Sequence, residues 1–122
     1  MTFDPRGENV LHATYGNFGG AHVLRSIDAG LSWQSLDGAG ATAVPDIPVH
    51  SLAVDPDDSQ PLYLGTDLGV MVSLDGGRTW MTEETGFGPA VTMWLSAIRT
   101  PSGAKYLFAF THGRGAWRVA LR

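Results

Sequence analysis

The 122-residue chain is predicted to be all-β, assembled from repeated four-stranded antiparallel units. Three observations lead there. An octapeptide recurs: Ser26-Ile27-Asp28-Ala29-Gly30-Leu31-Ser32-Trp33 aligns with Ser73-Leu74-Asp75-Gly76-Gly77-Arg78-Thr79-Trp80, with 47 residues from Trp33 to Trp80. Short apolar runs are separated by Gly, Pro and Asp, and the 16 Gly and 7 Pro fall between those runs rather than in low-complexity tracts. No stretch sustains the period of about 3.6 residues that an amphipathic helix needs.

The middle copy gives the clearest set of strands. His50–Val54 forms the first, closed by the Asp55-Pro56-Asp57-Asp58 turn, and Leu62–Thr66, Val70–Ser73 and Trp80–Glu83 follow. In the first copy the corresponding strands are Val10–Tyr15, His22–Arg25 and Trp33–Leu36, with Met1–Phe3 as a stub of the innermost one. Phe3-Asp4-Pro5 there answers Val54-Asp55-Pro56. The Ala-, Gly- and Pro-rich stretch Asp37–Leu52 links the first unit to the second. A third, partial copy supplies Thr92–Arg99, Tyr106–Phe110 and Ala116–Ala120, with 45 residues from Thr66 to the matching Thr111. Its octapeptide is absent, because the residue aligned with Asp75 is Leu121. A period of 45–47 residues suits the blade of a β-propeller, roughly 40–50 residues for four strands. The chain then holds about two and a half blades in one partial propeller domain. Residues 1–48 form a blade with an incomplete inner strand, 49–90 a complete blade, and 91–122 a blade without its outer strand.

Composition narrows the function classes. The net charge of −4 and pI near 5.3 leave no electrostatic footprint for nucleic acid or an anionic membrane. There is no Cys, so disulfides and thiolate metal sites are excluded. No run approaches the ~18 apolar residues of a membrane span. Met1-Thr2-Phe3-Asp4-Pro5-Arg6 has neither the basic nor the apolar region of a signal peptide, so the chain as it stands is expected to be cytoplasmic, or a fragment whose leader lies elsewhere.

The octapeptide has a physical rationale as the turn between the third and fourth strands of a blade. Its carboxylate can accept hydrogen bonds from turn amides that lack other partners. Gly permits positive φ, the hydroxyl residue adds a local bond, and Trp buries a large ring beneath the turn. Ser26, Asp28, Gly30, Ser32, Trp33, Ser73, Asp75, Gly77, Thr79 and Trp80 therefore read as structural. The pattern Ser-x-Asp-x-Gly-x-(Ser/Thr)-Trp resembles the Asp box, or BNR repeat, of sialidase-like and sortilin-like β-propellers. Xyloglucan-cleaving glycosidases and a plant photosystem assembly factor share it. Tyr63-x-Gly65-Thr66, Gly69-Val70 and the closing Thr111-His112-Gly113-Arg114-Gly115-Ala116-Trp117 resemble the C-terminal blades of such proteins. The resemblance implies a ligand face opposite the boxes, with catalytic residues around the central axis in the family's enzymes.

A meandering blade places the loops at Tyr15–His22, Asp67 and His112–Arg114 on that opposite face. Tyr15, Asn17, His22, Asp67, His112 and Arg114 are the candidate ligand-binding residues. Asp67 lies in Gly65-Thr66-Asp67-x-Gly69, which resembles the site of a catalytic Asp in xyloglucan-cleaving relatives. Read from the residues alone it is foremost an Asx-type turn residue, because glycosidases need two carboxylates and Gly16 or Asn17 and His112 occupy the matching positions. His112 and Arg114, between Gly113 and Gly115, can bind a carboxylate or sugar hydroxyl, although a solvated glycine hairpin is the plainer reading. The three-arginine carboxylate site and the Arg-Ile-Pro motif of sialidases are lacking. Trp94, Tyr15 and Phe18 offer a sugar-stacking platform, with Trp94 read foremost as inner-strand core. Asp55-x-Asp57-Asp58 lacks the Gly and distal Glu of a calcium loop and reads as a solvated turn.

No cofactor or metal is expected. The expected role is a noncatalytic binding or assembly module that holds a protein or glycan on the loop face. The alternative is a fragment or subunit of a glycoside hydrolase with Asp67 as acid or base. Two and a half blades cannot close a ring, so the expected partner is another copy of the chain or the remaining blades of a larger propeller.

Overall fold

The computed structural model describes residues 2–3, 9–16, 18–55, 60–67, 69–82, 92–111 and 115–120. It is all-β, with three antiparallel sheets following one another along the chain. The first contains β1 (Thr2–Phe3), β2 (Leu11–Thr14), β3 (Val23–Ser26) and β4 (Gln34–Ser35). The second contains β5 (Val49–Val54), β6 (Leu62–Thr66), β7 (Gly69–Ser73) and β8 (Met81–Thr82). The third has β9 (Thr92–Arg99), β10 (Lys105–Thr111) and β11 (Gly115–Ala120). Each strand pairs with its sequence neighbour, so every sheet is a meander. A single 3-10 turn, Gly40–Thr42, interrupts the link between the first two sheets.

Burial on both faces explains the nearly continuous apolar runs of the middle sheet. Every residue of β6 and β7 is buried. Leu52, Val54, Leu62, Leu64 and Met71 pack with Val23, Leu36, Val44 and Trp80 in one core. From the opposite face, Ala53, Tyr63, Val70 and Val72 meet Leu95, Leu107 and Ala109 of the third sheet. Strand alternation sorts these two sets, since successive side chains point to opposite faces. At Gly65 the second and third sheets approach too closely for a side chain. A Cβ there would stand 2.7 Å from Ser51 Oγ and 2.8 Å from the Thr92 carbonyl oxygen.

Both octapeptides form the turns that leave β3 and β7. Asp75 accepts hydrogen bonds from the Thr79 amide (2.9 Å), the Thr79 hydroxyl (2.6 Å), the Arg78 amide (3.1 Å) and the Ser73 hydroxyl (2.7 Å). Asp28 repeats the pattern with Ser26 and Ser32. Gly30 and Gly77 take φ of 96° and 99°, in the left-handed region. Ala29, at the position of Gly76, is pushed to φ 59° despite its Cβ. The two Trp residues differ. Trp80 is 4% exposed and its Nε1 donates to the Leu36 carbonyl at 2.8 Å, locking the second turn to the first sheet. Trp33 is only half-buried.

Two expectations need correction. Trp94, read as core, is 61% exposed. Leu95 takes the face toward the second sheet, and alternation leaves Trp94 on the uncovered side with Ile98 and Phe110. Asp55 is not solvated: it is buried, and Lys105 Nζ of the third sheet reaches both its oxygens at 3.0 Å. Asp57 and Asp58 lie outside the described residues.

Candidate functional site

The meanders put the octapeptide turns at one end of the sheets. At the other end are the β2–β3 loop, the β6–β7 turn and the starts of β5 and β9. Hydrogen bonds tie this second end together, one between the first two sheets and one within the second. Val49 donates its amide to the Tyr15 carbonyl (3.2 Å), and the Asp67 amide donates to the Pro48 carbonyl (3.3 Å).

Asp67 is the centre of the site. Its side chain is 38% exposed, and His50 Nε2 lies 2.6 Å from Oδ1. With the carboxylate ionised, the oxygen can only accept and the imidazole nitrogen is the donor. Oδ2 has no partner among the described residues. The backbone explains why His50 points there. In the β5–β6 ladder Val49 pairs with Thr66 and Ser51 with Gly65, so His50 is skipped as the extra residue of a β-bulge. Bulges re-aim side chains, and this one turns the imidazole toward the β6–β7 turn that carries Asp67. The third sheet repeats the irregularity, with Thr111 opposite Thr92 and Phe110 opposite Trp94. Gly16 closes the other side of the ring; a Cβ on it would lie 3.7 Å from His50 Nδ1.

His22 has a different position. It is 3% exposed, with Nδ1 2.9 Å from Asp37 and Nε2 3.0 Å from Asp46. Both ring nitrogens are engaged, which leaves neither for a ligand. Asp37 also accepts from the amides of His22 and Val23, and Asp46 from that of Gly19. The group therefore staples the β2–β3 loop to the inter-sheet link. Above the staple, Tyr15 (47% exposed) and Phe18 (67%) present aromatic rings to solvent. Asn17, His112 and Arg114 lie outside the described residues.

Sequence reasoning missed His50, Asp37 and Asp46. His50 follows from a one-residue register skip that no local motif marks. The His22 partners sit 15 and 24 residues away, in a link whose composition suggested only a connection. The octapeptide carboxylates are unsuited to proton transfer at neutral pH. The hydroxyl and amide of Thr79, then Ser73, hold the Asp75 pKa at about 2, and Ser32 and Ser26 do the same for Asp28.

No family model and no curated protein matches the chain. Solved structures do. An ancestral GH74 enzyme superposes with a TM-score of 0.66 at 17% identity, covering 97% of this chain and 17% of that one. The GH74 xyloglucanase from Xanthomonas campestris gives 0.62 at 19% identity, covering 95% and 20%. The GH74 enzyme of Niastella koreensis gives 0.60 at 17% identity, covering 97% and 20%. GH74 enzymes are β-propeller glycoside hydrolases, and at these identities the likeness establishes a β-propeller-type fold. The chain spans about a fifth of the length of these structures or less.

Proposed function

We propose that this chain is part of a glycoside hydrolase built as an Asp-box propeller, with Asp67 as its acid or base. One observation carries the reading. Asp67 stands at the loop end beside the innermost strand, held through one oxygen by His50 and with the other oxygen unpartnered among the described residues. Glycosidic cleavage requires one carboxyl group to protonate the leaving oxygen and a second to act as nucleophile or to deprotonate the attacking water. Asp67 can fill one of these roles, with His50 positioning it. The second carboxylate would come from a further blade, supplied by a longer chain or by another copy. Trp94, Ile98 and Phe110 are exposed on the face of the third sheet along which such a blade would stand. The GH74 likeness supports the glycosidase assignment, and the two hydrogen-bonded Asp28 and Asp75 turns support the Asp-box one.

A second reading has its own support. Tyr15 and Phe18 are exposed at the same loop end as Asp67, whose carboxylate already has one partner, as suits a module that binds glycan without cleaving it. The chain in its native assembly should be assayed on xyloglucan and on a panel of aryl glycosides, alongside a glycan array. The expected outcome is turnover that Asp67→Asn abolishes and Asp28→Asn leaves intact. Turnover retained in Asp67→Asn overturns the catalytic assignment. Glycan binding without turnover establishes the noncatalytic reading in its place.

A further inference from the structure

A second candidate site lies at the opposite end, independent of Asp67. We propose that the cleft between the first and second sheets beside the second octapeptide binds an oxyanion, with Arg25 and Arg78 as its cationic arms. The cleft has a volume of about 360 Å³ and is lined by Arg25, Ser35, Gln60, Asp75, Gly77 and Arg78 among others. That volume lies in the range of small-molecule sites, roughly 300–1,000 Å³.

Arg25 is the first argument. It lies on β3, opposite His12 and Gln34, on the face turned toward the second sheet. In the second sheet the equivalent residue is Val72, which is buried. In the third it is Arg118, whose guanidinium sits 4.7 Å from the centre of the Tyr106 ring. The position is thus satisfied elsewhere by an apolar side chain or an aromatic shield. Arg25 has neither of these: its Nε is buried and unbonded, and the guanidinium has no acceptor among the described residues. A buried guanidinium nitrogen without an acceptor costs free energy that an anionic ligand recovers.

Arg78 is the second. Its amide serves the turn, but its side chain has no partner among the described residues. The first octapeptide has Leu31 at this position, so only one of the two turns carries the cation. Asp75 also faces the cleft, and its charge opposes an anion. Its oxygens are occupied by Ser73, Arg78 and Thr79, so its charge is turned into the octapeptide turn, and two guanidinium groups stand against that one carboxylate.

The walls are fixed before any ligand arrives. Gly77 packs so tightly that a Cβ would meet three Leu36 atoms at 3.1–3.3 Å, and one on Gly38 would meet the Arg78 carbonyl oxygen at 3.1 Å. Trp80 Nε1 bonded to the Leu36 carbonyl pins the floor. Preorganisation of this kind lowers the ordering cost of binding. The matching ligand is a carboxylate, phosphate or sulfate group, either free or carried on a sugar.

The test is an NMR titration of the full chain at constant ionic strength with inorganic phosphate, sulfate, glucuronate and a glucuronate-bearing oligosaccharide, with glucose as the neutral control. Saturable shifts of the Gly38, Gly77 and Arg78 amides are expected with the anions and not with glucose. Arg78→Ala should weaken binding by about tenfold, as for loss of a charged hydrogen bond. Arg25→Met should abolish it and keep or raise the unliganded Tm, because an apolar residue suits that position in the second sheet. Tighter binding of the oligosaccharide than of phosphate identifies a glycan carboxylate as the source; equal binding identifies a free oxyanion. Non-saturating shifts, or shifts unchanged in Arg78→Ala, overturn the site. A Tm that falls in Arg25→Met with anion binding retained gives Arg25 a purely structural role and also overturns it.

Discussion

Gly65→Ala is the most direct probe of how the second and third sheets meet. The added Cβ would lie 2.7 Å from Ser51 Oγ, 2.8 Å from the Thr92 carbonyl oxygen and 3.2 Å from Thr92 Cγ2. Ser51 can rotate away, but the Thr92 oxygen is backbone at the start of β9 and moves only with its strand. Relief requires the seam to open by several tenths of an ångström. Leu95, Leu107 and Ala109 would then lose contact with Tyr63, Val70 and Val72. Over-packing of this sort costs about 1–3 kcal/mol, and a backbone collision puts this site at the upper end. Against a total stability of roughly 5–15 kcal/mol, the shift is large. Urea unfolding followed by tryptophan fluorescence measures it, with Gly20→Ala as the control because nothing lies within 4 Å of a Cβ there. If Gly65→Ala changes the free energy of unfolding by less than about 0.5 kcal/mol, the sheets do not pack this way.

Two further predictions concern the octapeptides. Trp80→Phe leaves the Leu36 carbonyl without its donor in a buried setting and should cost about 1–3 kcal/mol, whereas Trp33→Phe, at a half-buried ring, should cost less in the same unfolding assay. Asp28 and Asp75 have folded pKa values near 2 against an ordinary 3.8, so the stability they give is present above about pH 4 and is lost as pH falls toward 2; Asp75→Asn should flatten that acid limb in a series of thermal melts, and an unchanged slope would show that the turn carboxylates do not govern it.

Most of the fold was legible because it is local. Leu62–Thr66 was a continuous apolar run bounded by turn residues, and it became a strand buried on both faces. The octapeptides were legible for a related reason, since the hydrogen bonds of their Asp and Ser side chains close within eight residues. What the sequence concealed is contact between sheets. Asp55 looked like a turn residue because its partner, Lys105, is 50 residues away. Trp94 looked like core because an inner strand is normally covered on both sides, and the third sheet is covered on one. His50 was hidden by a bulge, which changes the direction of a side chain without leaving a compositional trace.

The repeat also limits what can pack on the third sheet. Matching the ladders at Thr66–Gly69 and Thr111–Gly115 aligns Gly65 with Phe110, and the cross-strand partners align Ser51 with Trp94. The small pair lets the third sheet close onto the second; even one methyl at Gly65 would collide with Thr92. Two aromatic rings at the same two positions therefore exclude an identical seam on the outer face. A following blade must stand off at the loop end, or the rings must turn outward to meet it. Either arrangement leaves aromatic surface beside the end that carries Asp67 and His50, whereas the octapeptide end has its carboxylates already bound by their own turns. The proposed glycan chemistry needs a carboxylate with an available oxygen and a flat apolar surface for a sugar ring, and among the described residues both lie at the loop end.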